Sequence, residues 1–249
     1  MVTAIIVLAA AFSPRVAQPQ SYHNFADTRG WLGIPNFGNV VSNFPFATVG
    51  AWGLWFICSR RGQAKFLDER ERWPYLLGFF GLFLTAFGSS YYHLVPENAR
   101  LVWDRLPMTL VFMPLVAMIA ERISVKAGLW LLPVLTSIGA GSVWQWNASE
   151  LRGKGDLRMY ATVQVYALVV LLIALLLPAK YTRSGDLLWV VGFYALAKIL
   201  ETADRQVFAL TGRTLSGHAL KHLAAATAGL LDFAHASEEG SATSSRNTS

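Results

Sequence analysis

The chain has 249 residues, of which 54% are hydrophobic and 14% are charged, and its formal net charge is +6. Soluble domains average about 25% charged residues, so this composition argues against a soluble domain and indicates a polytopic membrane protein. The basic residues lie mostly in short loops between apolar runs, as topology signals do, which argues against a nucleic-acid-binding surface.

The first element in chain order is a short hydrophobic segment, residues 1–19. Its apolar run, Val2 to Phe12, is short for a membrane span and has no basic residue before it. A cleaved signal, an uncleaved anchor and a spanning helix are all open, and we favour an uncleaved hydrophobic anchor.

Seven longer apolar runs follow, each near the ~20 residues that cross the hydrocarbon core as a helix. They cover residues 37–58, 74–95, 105–121, 127–146, 159–178, 186–208 and 216–236. Short loops make sequential helices pack antiparallel, so the sequence predicts an all-α integral membrane bundle of seven helices, one domain over residues 20–236. Residues 237–249 are rich in polar residues without apolar periodicity, which predicts a disordered tail.

The most basic loop follows the first span and contains Arg60, Arg61, Lys65, Arg70 and Arg72. Such loops stay in the cytoplasm, so the connections 13–36, 96–104 and 209–217 are expected on the outer face. We expect a multi-pass protein of a bacterial inner (plasma) membrane.

Three histidines lie within this apolar sequence. His93 is near the end of the second span, and His218 and His222 open the seventh. Four residues make about one helical turn, so the H-x-x-x-H pair projects from one helix face. The single cysteine, Cys58, excludes a cysteine-rich metal site. Three imidazoles near one membrane face predict a zinc site with an open fourth position, the alternative being histidines hydrogen-bonded to neighbouring helices.

Two further residues are placed near these histidines. Ser89 lies one turn before His93, where its hydroxyl can bond the attacking water or an oxyanion; alternatively it bonds a carbonyl of its own helix. Asp104 opens the third span, where a carboxylate can orient water and accept its proton. The alternatives for Asp104 are a helix N-cap and an ion pair with Arg105.

A second polar cluster lies at the end of the sixth span. Glu201 follows Lys198 by three residues and precedes Arg205 by four. These spacings predict an internal ion-pair ladder with a structural role, which braces the site.

With these residues in view, the chain resembles the alkaline ceramidase family. That family belongs to a set of seven-span membrane proteins that includes the progestin and adiponectin receptors and the GPI-anchor-remodelling phospholipases. The shared pattern is S-x-x-x-H ending the second span, an Asp opening the third and H-x-x-x-H on the seventh. Residues 37–43, with an F-x-N-x-x-S-N core, are similar to the ceramidase first span. The resemblance covers essentially residues 20–235.

The resemblance implies zinc held by His93, His218 and His222, with Asp104 and Ser89 beside the attacking water. The implied reaction cleaves the amide bond of a ceramide-like lipid within the bilayer, releasing a fatty acid and a sphingoid-type amine. No nucleic acid and no protein partner are implied.

One departure from the family concerns calcium. Asn36 stands where the animal enzymes have a calcium-binding Glu, and Asp27 is the one carboxylate in residues 24–31. Because Ca²⁺ takes about six to eight oxygen ligands, several of them charged, the calcium site is not carried over.

Three other functions are open. The same zinc chemistry cleaves lipid esters, as a phospholipase does. A seven-span receptor or scaffold would hold zinc structurally, although the longest loop between helices, about 59–73, leaves no soluble signalling domain. Haem ligation is disfavoured, because His218 and His222 share one helix face and cannot clamp opposite sides of a porphyrin, although His93 could do so with either of them.

Overall fold

The computed structural model of the protein describes residues 2–66, 68–121, 124–176 and 185–238. Over these residues the chain is all-α, and its sole β pairing is an isolated bridge between Trp31 and Ile34. The α-helices are α1 Val2–Phe12, α2 Phe37–Val41, α3 Phe44–Cys58, α4 Arg60–Gln63, α5 Arg72–Leu94, α6 Asn98–Glu121, α7 Val125–Leu151, α8 Arg158–Leu176, α9 Gly185–Thr202, α10 Asp204–Leu210 and α11 Gly217–Glu238. The all-α prediction is confirmed.

Four helical segments in the described ranges are long and apolar enough to cross a membrane. They are Phe37–Cys58, Asn98–Ile119, Val125–Leu151 and Arg158–Leu175. These segments match the first, third, fourth and fifth predicted spans and are compatible with a membrane protein. Helices α5, α9 and α11 form at the positions of the other three, and the count of seven spans stays a prediction.

Large apolar side chains are exposed on the outside of these helices. Among them are Trp52, Trp55, Trp130, Trp144 and Trp189, each about half exposed or more. Soluble proteins rarely expose contiguous apolar patches of large size, whereas a bilayer solvates such side chains. The helix surface is therefore compatible with a hydrocarbon environment.

Two predicted spans differ in detail from the helices. The first is divided at Ser42 and Asn43, and α3 begins with a proline in its first turn. The sixth ends at Thr202, and the short helix α10 follows. The predicted disordered tail begins inside α11, which continues to Glu238, and its residues 239–249 lie outside the described residues.

Helix α5 packs against α6 through glycines that let the backbones approach closely. A Cβ atom at Gly81 would lie 2.7 Å from the backbone carbon of Leu110, and one at Gly88 would overlap the carbonyl oxygen of Trp103. On its other side α5 packs on α3 and α11, where the core contains Phe46, Val49, Phe79, Leu82 and Ala226. These contacts bring Ser89 on α5 to the level of Asp104 on α6.

The segment between α1 and α2 crosses one end of the helices. Arg158 donates from Nη1 to the carbonyl oxygen of Ser13 at 2.9 Å, and the amide of Leu157 donates to the carbonyl oxygen of Val16 at 2.8 Å. Helix α1 lies against α8, with the hydroxyl groups of Thr3 and Tyr166 3.3 Å apart. The N-terminal part of the chain is thus tied to the helix end that also contains the three histidines.

Candidate metal centre

The three predicted histidines converge in the structure. His93 lies at the end of α5, and His218 and His222 lie in the first two turns of α11. One ring nitrogen from each histidine lies within 4.8 Å of the other two, and all three side chains are buried. The Nε2 atoms of His93 and His218 are 3.2 Å apart. These three histidines can hold a metal ion.

The distance between the Nε2 atoms of His93 and His218 fits a hydrogen bond and also fits two ligands of one tetrahedral ion. Two nitrogens bound at about 2.0–2.1 Å in tetrahedral geometry lie about 3.3–3.4 Å apart, which is close to the His93–His218 separation. Three neutral imidazoles also form a donor set typical of zinc with an open fourth position. Buried histidines of this kind are equally compatible with a structural ion, so the cluster alone does not define an activity.

Neighbouring groups orient the histidines. Ser42 Oγ lies 2.7 Å from Nδ1 of His222. Asn36 donates from Nδ2 to the carbonyl oxygen of His93 at 2.9 Å. The backbone amide of His218 donates to Oδ1 of Asp204 at 2.8 Å, which caps the start of α11. Ligand orientation by such partners is a common feature of metal sites.

The N-terminal segment closes one side of the cluster. The ring of Phe25 packs against His93 and His218, with centroid distances of 4.8 and 4.2 Å. The next amide, that of Ala26, donates to Oδ2 of Asp204 at 2.8 Å. Because an aromatic ring covers two of the three imidazoles here, we expect a ligand to approach the cluster from another side.

A cavity of about 350 Å³ lies on the other side of the cluster. Ser89, Asp104 and His222 contribute to its polar end, whereas its remainder is mostly apolar and reaches Tyr75, Gly78, Met118, Leu171 and Val190. From Ser89 to Tyr75 along α5, the cavity extends roughly 21 Å at 1.5 Å per residue. This is longer than one hydrocarbon leaflet of about 15 Å.

Asp104 and Ser89 border the cavity without joining the cluster of possible ligands. The Ser89 hydroxyl interacts with the carboxyl group of Asp104. Asp104 lies in the second turn of α6, which begins at Asn98, so the N-cap alternative is wrong. No ion pair within 4.0 Å joins Asp104 to Arg105 in the described part of the chain. The carboxyl group thus lines the same cavity as His222, and Lys221 and Arg105 act on it electrostatically without an ion pair within 4.0 Å.

Sequence reasoning missed part of the polar end. Glu201 pairs with Lys198 as predicted, but its second partner is Lys221, at 2.5 Å from Oε1. The predicted Glu201–Arg205 pair is absent, since Arg205 donates to the carbonyl oxygen of Asn24. The sequence did contain a signal for this pair. Lys221 lies between the two histidines of α11 within apolar sequence, and ionisable residues at such positions usually have a function.

The two oxygen donors considered for calcium have other partners. Asp27 accepts from Arg29 at both carboxylate oxygens, at 2.8 and 2.7 Å. This hydrogen bonding from Arg29 holds the pKa of Asp27 below its usual range. The amide of Asn36 donates to His93, as described above.

Comparison with other proteins gives no family assignment. No protein-family model matches the chain, and no curated protein matches it. The likeness to alkaline ceramidases therefore rests on the motif residues and stays a prediction.

Proposed function

We propose that this protein is a zinc-dependent membrane hydrolase that cleaves the amide bond of a ceramide-like lipid, as the likeness to alkaline ceramidases implies. The observation that carries the proposal is that His222 of the histidine cluster lines one end of a long apolar cavity, together with Asp104 and Ser89. In this proposal the chain spans a bacterial inner membrane seven times, with the site nearer the outer face.

His93, His218 and His222 would hold the zinc ion. Zinc bound there would lower the pKa of a water molecule and polarise a carbonyl group. Asp104 lines the same cavity without an ion-pair partner within 4.0 Å, and in this proposal it would accept a proton from the attacking water. Ser89 interacts with Asp104 and would hold its carboxyl group beside the attacking water. The alternative role of Ser89, donation to the developing oxyanion, requires its hydroxyl to turn away from Asp104.

The remainder of the cavity accounts for a lipid substrate. Its apolar walls run roughly 21 Å along α5, which accommodates an acyl chain that is otherwise solvated by one leaflet. An acyl chain in this position places its carbonyl group at the polar end, beside His222 and Asp104. Burial of the chain also keeps bulk water from the reacting carbonyl group.

The test is fatty-acid release by the purified protein in detergent. Ceramides, N-acyl amines and lipid esters are each incubated with and without a zinc chelator, and metal content is measured in parallel. Chelator-sensitive release from an amide, restored by added zinc, is the expected result. Release from esters alone would favour a lipid ester hydrolase, and no release at one bound zinc per chain would favour a receptor or scaffold.

Two histidine variants accompany this test. His218→Ala is expected to lose both zinc and activity. His23→Gln is the matched control, because His23 bonds to Tyr92 and Asn98 and lies outside the cluster. Unchanged zinc content in His218→Ala would contradict the ligand assignment.

A further inference from the structure

Arg105 is a buried cation that forms no direct ion pair in the described part of the chain. Its side chain lines the cavity next to Asp104 and is 5% exposed. The guanidinium group stacks on Trp146 and Tyr160, at 4.1 and 4.6 Å from the ring centroids, and donates from Nη2 to Oε1 of Gln18 at 2.5 Å. Its Nη1 atom has no hydrogen-bond partner, and no carboxylate lies within 4.0 Å of the guanidinium among the described residues.

The side chains that line the cavity carry more positive than negative charge. Three cationic side chains line it, Arg105, Lys198 and Lys221, against two carboxylates, Asp104 and Glu201. Glu201 forms ion pairs with both lysines. Asp104 interacts electrostatically with Arg105 but forms no ion pair with it within 4.0 Å, so these five side chains leave one excess positive charge and a guanidinium without a direct counter-ion. An isolated charge in an apolar setting is costly unless a counter-charge accompanies it.

We propose that the substrate is a lipid amide with an acidic headgroup, a carboxylate or a phosphate, and that Arg105 binds this group. The proposal rests on the proposed hydrolase function and narrows its substrate class. A planar guanidinium with a free Nη1 matches two oxygens of a carboxylate or phosphate. The neutral hydroxyl headgroup of a simple ceramide offers no such partner.

The order of groups in the cavity places the acid on the amine side of the amide bond. The acyl chain occupies the apolar part, the amide lies beside Asp104 and His222, and Arg105 lies at the end that Tyr22 and Gln18 cover. Water adds to the acyl carbon, the C–N bond breaks, and a proton goes to the nitrogen. The products are a fatty acid and an amine that carries the acidic group.

Binding is measured with compounds that contain no amide bond. A long-chain γ-keto acid is the methylene isostere of an N-acylglycine, and the corresponding γ-keto alcohol is its neutral counterpart. We expect the wild-type protein to bind the acid about tenfold to a hundredfold more tightly than the alcohol, the range for a hydrogen-bonded charge. Arg105→Gln should abolish this preference while the metal content stays unchanged. This result would show that the carboxylate binds to Arg105 and not directly to a metal ion.

Two further variants complete the binding test. Arg105→Lys keeps the charge and loses the planar donor pair, so part of the preference should remain. Arg100→Gln removes another arginine of α6, which packs on the ring of Tyr91 outside the cavity, and should leave the preference unchanged. Because each preference is a ratio within one preparation, partial misfolding of a variant does not alter it. Equal binding of acid and alcohol by wild type, or a retained preference in Arg105→Gln, would overturn the proposal.

Hydrolysis of three amides distinguishes the headgroups. An N-acylglycine presents a carboxylate, an N-acylphosphoethanolamine lipid presents a phosphate, and an N-acylethanolamine is neutral. Faster release from either acidic lipid supports the proposal and identifies the acid. Release from the neutral amide alone overturns it while the hydrolase function stands. If the acid binds in an Arg105-dependent manner but no amide is hydrolysed, the headgroup site is supported and the proposed hydrolase function is contradicted.

Discussion

Ser42 and His222 are 180 residues apart in the sequence, yet Ser42 Oγ lies 2.7 Å from Nδ1 of His222. The Ser42 hydroxyl also donates to the carbonyl oxygen of Asn39 at 3.2 Å. With its proton used there, the oxygen accepts from Nδ1–H, and the lone pair on Nε2 of His222 is free to bind a metal. A residue between α2 and α3 thus selects the tautomer of a possible ligand on α11.

Ser42→Ala is expected to weaken zinc binding about tenfold to a hundredfold, the range for loss of a group that orients a metal ligand. Competition with a chelator of known affinity measures the change. Ser90→Ala is the control, since Ser90 donates to the carbonyl oxygen of Val40 and does not contact a histidine. Equal zinc affinity in the two variants would mean that Ser42 does not orient His222.

Asp104→Asn is expected to reduce turnover by about a hundredfold to ten-thousandfold, as for loss of a general base, with zinc content and thermal stability nearly unchanged. The amide keeps the size of the side chain and cannot accept the proton. Rate, bound zinc and melting temperature are measured on one preparation, with the exposed Glu97→Gln as the control. If Asp104→Asn unfolds the protein and wild type hydrolyses no lipid, a structural role for the centre is the better explanation.

Most helices were predictable because each is an apolar run between polar loops. The division of the predicted sixth span at Ala203 was not, since it depends on tertiary contacts. Asp204 accepts hydrogen bonds from Ala26 and from His218, which are distant in sequence. The path of residues 13–36 across the histidines was likewise not predictable, because this segment has no hydrophobic periodicity.

The histidine cluster was predictable because H-x-x-x-H spacing fixes a common helix face and a third histidine ends a neighbouring helix. The environment of the cluster was not. Arg105 was assigned only as a possible partner of Asp104, and its stacking on Trp146 requires knowledge of how α6 packs on α7. Lys221 was overlooked because its ion pair with Glu201 joins two helices.

Gly88→Ala is expected to lower the free energy of unfolding by about 1–3 kcal/mol, because a Cβ atom there overlaps the carbonyl oxygen of Trp103 and α5 and α6 must separate. The separation moves Ser89 from Asp104, so turnover should fall as well. Thermal unfolding in detergent and lipid-amide hydrolysis measure the two effects. Gly141→Ala is the control, with no atom within 4 Å of the new Cβ, and unchanged stability in both variants would contradict the close packing.

Asp27→Asn is expected to lower the free energy of unfolding by about 1 kcal/mol at neutral pH, a value reduced by the exposure of Arg29 to solvent. Asp27 itself is buried, and Arg29 also donates to the carbonyl oxygen of Thr214, so the pair ties the N-terminal segment to the chain before α11. Because Arg29 lowers the pKa of Asp27, its stabilisation is complete above the ordinary value of 3.8 and is lost as the pH falls below it. Wild type should therefore lose stability in acid relative to Asp27→Asn, as measured by melting temperature against pH. Parallel pH profiles for wild type and Asp27→Asn would show that the Asp27–Arg29 pair does not stabilise the N-terminal segment over the histidines.

The control is Asp68→Asn, which breaks the equivalent but more exposed pair with Arg70 and should change the melting temperature less.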